Sequence, residues 1–277
     1  MIQSNYPLKN ISTIGLGGIC KEFICPISMD DLLKIKFTKK KLFIGNGSNI
    51  CFITDYYDGT IVSLKRMSKA ISHDDKYIYC SSNISCTKIA RYLFNNRISG
   101  FEYLYGIPGT IGGALYMNAG AFDKEILSHV YRIKLLDHNG DLYYLKGKDL
   151  NYSYRKSNIK KSCIIIGVEL YNYTKLFDNK LLSNLDNKRK SSQPVNQLSC
   201  GCIFKNPPHK YASKLIEGAK LKGKRFGGVY ISRKHSNYFI NDGSGSFTDF
   251  LNLLDYVKRK VLSVYNIELK EEVILIK

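Results

Sequence analysis

Gly106-Ile107-Pro108-Gly109-Thr110-Ile111-Gly112-Gly113-Ala114-Leu115-Tyr116-Met117-Asn118-Ala119-Gly120-Ala121-Phe122 places five glycines in seventeen residues, among small or apolar neighbours and almost without charge. A flexible linker is polar; this stretch is not, so it reads as packed. Glycine permits positive φ and close approach of the backbone to another group. Successive N–H groups exposed in this way hold anions such as a pyrophosphate. By its own residues the stretch is equally a tight buried turn or an anion-holding wall, and the surrounding chain has to decide.

Upstream, Leu42-Phe43-Ile44 reads as a strand running into Gly45-Asn46-Gly47-Ser48-Asn49. That loop suits either a ligand or a plain turn. It is not a complete G-x-G-x-x-G, and no Walker A sequence occurs, so neither a dinucleotide Rossmann fingerprint nor a P-loop is supported. Asp30–Phe37 carries a short helical pattern. Thr60–Leu64 and Tyr77–Cys80 read as strands, and Ser85–Asn96 as a helix with Ile89, Leu93 and Phe94 on its apolar face. Downstream, Val130–Leu136 and Leu142–Leu145 flank an Asn139-Gly140 centre, which predicts a hairpin. Cys163–Leu170 is a further strand. Residues 40–173 thus read as an α+β unit with few helices between strands, not a doubly wound parallel sheet. Residues 174–198 turn polar and read as a short helix, a linker and a domain boundary. A helix over Ala212–Gly218 and strands over Val229–Ser232 and Tyr238–Ile240 follow. The last helix opens on a Ser246/Asp249 capping box and keeps Phe250, Leu253, Leu254, Val257 and Val261 on one face. Glu272–Ile276 closes the chain as a strand.

The 277 residues carry 42 Lys+Arg against 23 Asp+Glu, a net charge of +19. Such a field attracts nucleic acid and phosphorylated small molecules alike. The charge is spread along the chain, and the abundance of Lys, Asn, Ile and Tyr matches AT-rich codons, so it says little about nucleic acid. No cluster of Lys/Arg with interleaved aromatics forms a recognisable binding module. The eight cysteines form no C-x-x-C pair, and His and Cys show no metal-ligand spacing. Most sit in apolar runs, as reduced cysteine does in a reducing cytosol. Met1–Tyr6 lacks a signal-peptide pattern, and no apolar run reaches membrane-spanning length.

Four polar spots carry possible chemistry. Arg155 lies among Tyr152 and Tyr154, where an Arg can pair bidentately with a carboxylate or phosphate or simply snorkel at the surface. Cys202 follows Gly201. His235 sits in a polar cluster and is either an acid–base group or a structural hydrogen-bonding one. Glu272 leads the last strand.

Each spot is weak alone, but their order is specific. Thr13-Ile14-Gly15-Leu16-Gly17-Gly18, Gly45–Asn49, Gly100-Phe101-Glu102, Gly106–Gly113, Met117–Ala121, Tyr154–Ser157, Arg189 with Gln193-Pro194, Gly201–Pro207, Leu221–Gly223, Ser232 with His235, Asn237 and Phe239, and Glu272-Val273 together resemble the UDP-N-acetylenolpyruvoylglucosamine reductase family. The resemblance runs from about residue 10 to the end, and is to the shorter subclass, which lacks an extra substrate-covering insertion. It implies a two-part FAD-binding region of the vanillyl-alcohol-oxidase (PCMH) type, residues 1–65 and 66–175, then an α+β substrate-binding domain, 176–267, with 268–277 returning to the first part. It implies NADPH as hydride donor, UDP-N-acetylglucosamine enolpyruvate as substrate, UDP-N-acetylmuramate as product, and a cytoplasmic monomer using neither nucleic acid nor membrane.

By the same resemblance, Gly45, Asn46, Gly47, Ser48, Asn49, Pro108, Gly109, Thr110, Gly112, Gly113, Asn118, Ala119 and Gly120 hold FAD. Arg155 and Glu272 stabilise an enolate-like intermediate; Glu272 does so only if it is protonated or holds a donor in place. Cys202 stands where most members have Ser and gives the proton. Arg189, Lys205, Asn206, His235 and Asn237 face the substrate. No metal is implied. The alternatives are a related FAD oxidase of another substrate, a non-catalytic flavin-binding protein, and a basic nucleic-acid-binding protein.

Overall fold

Apolar residues at alternate positions give three strands able to bury one face: Ile133 and Leu135, Val168 and Leu170, Ile78 and Cys80. In the computed structural model, which describes residues 2–35, 40–173 and 177–277, they form the middle of a five-stranded sheet. Its order is Leu142–Lys146, Val130–Leu136, Ile164–Tyr171, Tyr77–Ser81 and Ile71–His73, and every pair is antiparallel. The buried face shares one apolar core with Ile89, Ala90 and Leu93 of the Cys86–Asn95 helix. Ser85 caps that helix, accepting from Lys88 N at 3.2 Å. The antiparallel sheets and separate helices make the protein α+β.

The chain divides into two units. The first comprises residues 1–2, 24–46 and 61–189 and holds the five-stranded sheet. The second comprises residues 3–23, 47–60 and 190–277. Its core is the helix Phe247–Tyr265, opened by the reciprocal Ser246/Asp249 capping box. Phe250 packs at a ring distance of 5.4 Å from Phe239, which lies 6.2 Å from Phe204. An antiparallel meander, Arg225–Phe226, Val229–Ile231 and Phe239–Asn241, completes this core. Ile274–Ile276 pairs in parallel with Ile50–Phe52.

Three local expectations shift. The glycine-rich stretch contains a helix, Ile111–Tyr116, whose Thr110 cap accepts from Gly113 N at 3.4 Å; tertiary context offsets the roughly 1 kcal/mol that each interior glycine costs. The expected 137–141 hairpin is present, its five-residue loop fixed by Asp137, which accepts from Asn139 N at 2.8 Å and Asp141 N at 3.0 Å. The helix Leu181–Ser192 extends over the residues read as linker. The last strand begins at Ile274, because Glu272 N and Val273 N donate to Ile203 O at 2.8 and 3.3 Å. The first helix is Met29–Leu33; the expected end at Phe37, and the expected boundary between 175 and 176, lie outside the described residues. Among the described residues, no helix is long and apolar enough to cross a membrane, and no His, Cys, Asp or Glu cluster could hold a metal.

Candidate active site

In the first unit the two glycine-rich segments meet. A side chain at Gly45 would place its Cβ 2.4 Å from Thr110 Oγ1, so only glycine allows this approach. The helix after Thr110 is held by Ile111 N donating to Ile84 O and Gly112 N to Ser82 O, both at 2.8 Å. Gly106 sits at φ +77°, its N–H donating to Thr87 Oγ1 at 3.1 Å. A Cβ there would lie 2.8 Å from Cδ of Arg189, a buried arginine of the Leu181–Ser192 helix. Gly106→Ala is therefore expected to lower stability by roughly 1–3 kcal/mol, through positive-φ strain and displacement of Arg189. Urea unfolding checks this: an unchanged midpoint means Arg189 is not seated on Gly106.

The stretch ends on a pin. Asn118 is fully buried at φ +45°; its Nδ2 donates to Glu125 Oε2 at 2.8 Å and Ser153 O at 3.0 Å, while its Oδ1 accepts from Leu127 N at 3.3 Å. Ser157 Oγ donates to Tyr116 O at 2.7 Å. Together these dock the Tyr152–Ser153/Lys156–Ser157 hairpin on the stretch. Arg155 occupies its turn at φ +57°, an uncommon conformation for a side chain this long. Its Nη2 donates to Gly120 O at 3.1 Å, and its guanidinium lies 4.8 Å from the Tyr154 ring centroid.

In the second unit, Cys202, Asn237, Glu272 and Asn49 come together through backbone pairing. Cys202 bridges Tyr238, and Phe204 bridges Glu271. Ile203 N donates to Asn237 O at 2.9 Å, and Ile203 O receives Glu272 N at 2.8 Å. Asn49 Nδ2 donates to Glu272 O at 3.2 Å. Lys205 N donates to Lys270 O at 2.9 Å, leaving its half-buried side chain at the end of this ladder. Asn206 Oδ1 accepts from Ala212 N at 3.0 Å and starts the Ala212–Gly218 helix; its Nδ2 has no acceptor among the described residues. Thr13 pins the loop beside Asn49: its N donates to Gly47 O at 3.1 Å and its Oγ1 to Ser199 O at 2.6 Å. Behind Cys202, burial pushes the Cys200 thiol well up and the Cys51 thiol to about 12, which leaves both unreactive.

His235 Nδ1 accepts from Asn237 N at 3.3 Å, and its ring meets Tyr238 edge-on at 4.8 Å. Burial lowers its pKa, and Lys222 adds to this. A neutral ring is therefore favoured in the fold, and this contribution to stability is present above the unfolded pKa of about 6.5 and lost as pH falls through it. His235→Gln is expected to show a smaller loss of urea stability between pH 7.5 and 5.5 than the parent; an equal loss places the effect elsewhere.

Residues 193–276 match the profile of the UDP-N-acetylenolpyruvoylglucosamine reductase C-terminal domain, and residues 31–146 that of an FAD binding domain. The UDP-N-acetylenolpyruvoylglucosamine reductase of Caldanaerobacter subterraneus subsp. tengcongensis is 35% identical over 279 residues, covering 97% of this chain and 91% of that protein. The chain belongs to the UDP-N-acetylenolpyruvoylglucosamine reductase family. The Fusobacterium nucleatum reductase is 30% identical, covering 100% of this chain and 99% of the relative. The crystal structure of the reductase from Thermus caldophilus superposes with a TM-score of 0.82 at 27% identity, covering 100% of this chain and 98% of that one.

Each unit, taken by itself, offers backbone suited to part of the FAD that this reductase family uses. Among the described residues, the N–H groups of Gly109, Thr110, Gly47 and Asn49 have no protein acceptor, so they suit an anionic group without help from a lysine. A Cβ on Gly113 would meet only Thr110 Oγ1, at 3.7 Å, and one on Gly201 only Ser48 O, at 3.8 Å. Backbone left open in this way leaves room for a bound group beside it. The sequence assigns no role to Thr13, Thr87, Glu125, Ser153 and Ser157, which fix these loops. Their partners are backbone groups or side chains remote in sequence, so no local spacing marks them. Thr110 was the one available signal, a helix cap directly after Pro-Gly.

Proposed function

We propose that this chain reduces UDP-N-acetylglucosamine enolpyruvate with NADPH, through FAD, to UDP-N-acetylmuramate, a precursor of peptidoglycan. The observation that carries the reading is the Ile203 ladder, which fixes Cys202 and Glu272 in one frame although seventy residues separate them, in a chain matched to the reductase family nearly end to end. FAD, when bound, supplies the two-electron chemistry that joins NADPH to the enolpyruvyl double bond.

The chain's own residues do the rest. The Arg155 guanidinium meets the charge that develops on the substrate carboxylate, and Glu272 is the second stabiliser. Cys202 gives a proton from Sγ to the inner carbon. Arg189, Lys205 and the Asn206 carboxamide serve the UDP diphosphate, Arg and Lys being suited to phosphate oxygens. Asn237 and His235 shape the loop that faces the sugar. We assign residues 1–65 and 66–175 to the cofactor and 176–267 to the substrate; the pairing of Ile274–Ile276 with Ile50–Phe52 supports the return of 268–277 to the first part. Seven of the eight cysteines are buried thiols, which fits a reducing cytoplasm, and we place the protein there as a monomer.

Anaerobic reduction by NADPH, followed by addition of UDP-N-acetylglucosamine enolpyruvate, tests the reading. Prompt loss of the reduced-flavin spectrum with formation of UDP-N-acetylmuramate is expected. Reduction that the enolpyruvyl sugar does not reverse overturns it in favour of an oxidase of another substrate.

A further inference from the structure

We propose that Asn49 and Asn237 are positioning residues: their carboxamides hold Glu272 and Cys202 in a single backbone frame and act through protein, not through cofactor or substrate. The proposal rests on the reductase reading and deepens it.

Asn49 grips Glu272 from two sides. Its Nδ2 donates to Glu272 O at 3.2 Å, and its own carbonyl receives Ile274 N at 3.0 Å. One residue thus fixes both ends of Glu272-Val273-Ile274, and Asn49 directly precedes the Ile50–Phe52 strand that pairs with Ile274–Ile276. Asn237 grips the other strand. It is 2% exposed, its Oδ1 accepts from Phe204 N at 3.0 Å, and its Nδ2 donates to Phe204 O at 2.8 Å. Its backbone carbonyl receives Ile203 N at 2.9 Å. Ile203 O closes the frame, receiving Glu272 N at 2.8 Å and Val273 N at 3.3 Å.

Both ends of the Asn237 carboxamide are engaged with buried backbone, so the side chain is committed to holding Phe204. The frame is non-local, spanning 223 residues between Asn49 and Glu272 and 33 between Phe204 and Asn237. Cys202 is one residue before Ile203, and Glu272 lies directly across from it. A slip at either asparagine therefore moves the proton-donating thiol and the carboxyl relative to each other. Small misplacements of reacting groups cost large factors in rate. The Gly47–Asn49 loop thereby shares its backbone placement with Glu272.

The test uses the full-length holoenzyme. Asn49→Asp and Asn237→Asp keep the side-chain shape and remove the donating amide; Asn49→Ser keeps a hydroxyl donor and guards against misfolding of the Asp variant. FAD affinity is read by quenching of flavin fluorescence, and the two half-reactions by anaerobic stopped flow. The expected result is NADPH reduction of the FAD-saturated variants within about threefold of the parent, and FAD affinity within about threefold for Asn237→Asp and Asn49→Ser, with reoxidation by the enolpyruvyl substrate slowed at least about tenfold in the Asp variants and Asn49→Ser in between. In a Glu272→Gln background, Asn49→Asp is expected to cost less than about threefold more, because coupled residues are not additive. A tenfold loss of FAD affinity in Asn237→Asp or Asn49→Ser, equal slowing of both half-reactions, or full additivity with Glu272→Gln overturns the frame alone. A parent protein that the enolpyruvyl substrate does not reoxidise overturns the reductase reading and the frame's purpose with it.

Discussion

Cys202→Ala is expected to be reduced by NADPH like the parent, and then to be reoxidised by UDP-N-acetylglucosamine enolpyruvate roughly 10²–10⁴-fold more slowly, the range for loss of a positioned proton donor. The two half-reactions separate because the proposed role places the thiol's proton on the substrate carbon alone. Cys202→Ser, which restores the residue usual in the family this chain resembles, is expected to stay active. A free cysteine has a reference pKa of about 8.5, so a thiol is a stronger acid than an alcohol and remains mostly protonated at pH 7. The Cys202 enzyme is also expected to lose activity to peroxide, since exposed thiols enter the oxidation ladder and serine does not. Cys202 is half-exposed while Cys200 and Cys51 are buried, so the loss should follow Cys202 and vanish in Cys202→Ser. Normal turnover by Cys202→Ala would remove Cys202 from the mechanism.

Arg155→Ala carries the second large effect, a fall of roughly 10²–10³-fold in kcat for the substrate half-reaction, the usual consequence of removing one preorganised charge stabiliser. The preorganisation is visible. Arg155 is held at positive φ in a two-stranded hairpin, with one nitrogen donating to Gly120 O and the guanidinium against Tyr154. Ser157 and Asn118 fix the hairpin itself. Arg155→Lys keeps the charge but not the planar fork, and recovers only part of the rate. A rise in KM with kcat unchanged would mean that Arg155 binds ground state and transition state alike.

How far these residues were readable follows from the range of the interactions that place them. The Cys86–Asn95 and Phe247–Tyr265 helices are carried by a 3.6-residue apolar period and a Ser cap, all within a few positions. The Val130–Leu136/Leu142–Lys146 hairpin is carried by alternation and a turn. Neighbours along the chain make those contacts, so the pattern is local. The helix over Ile111–Tyr116 was hidden because Gly112 and Gly113 oppose it locally; it is held by carbonyls of Ser82 and Ile84, some thirty residues away. Leu181–Ser192 reads only as a short helix, because its polar composition masks how far it runs.

The sequence by itself determined the local elements and the ordered set of motifs, and with that order the family. What the carboxamides of Asn118 and Asn237 bond to within the protein was decided only by tertiary structure: both residues read as facing a ligand, and both carboxamides also bond to distant protein groups. The meeting of Asn49, Cys202, Asn237 and Glu272 around Ile203 belongs to the same class. Backbone hydrogen bonds between distant segments leave no spacing or composition to read, because any residue supplies the N–H and C=O that make them.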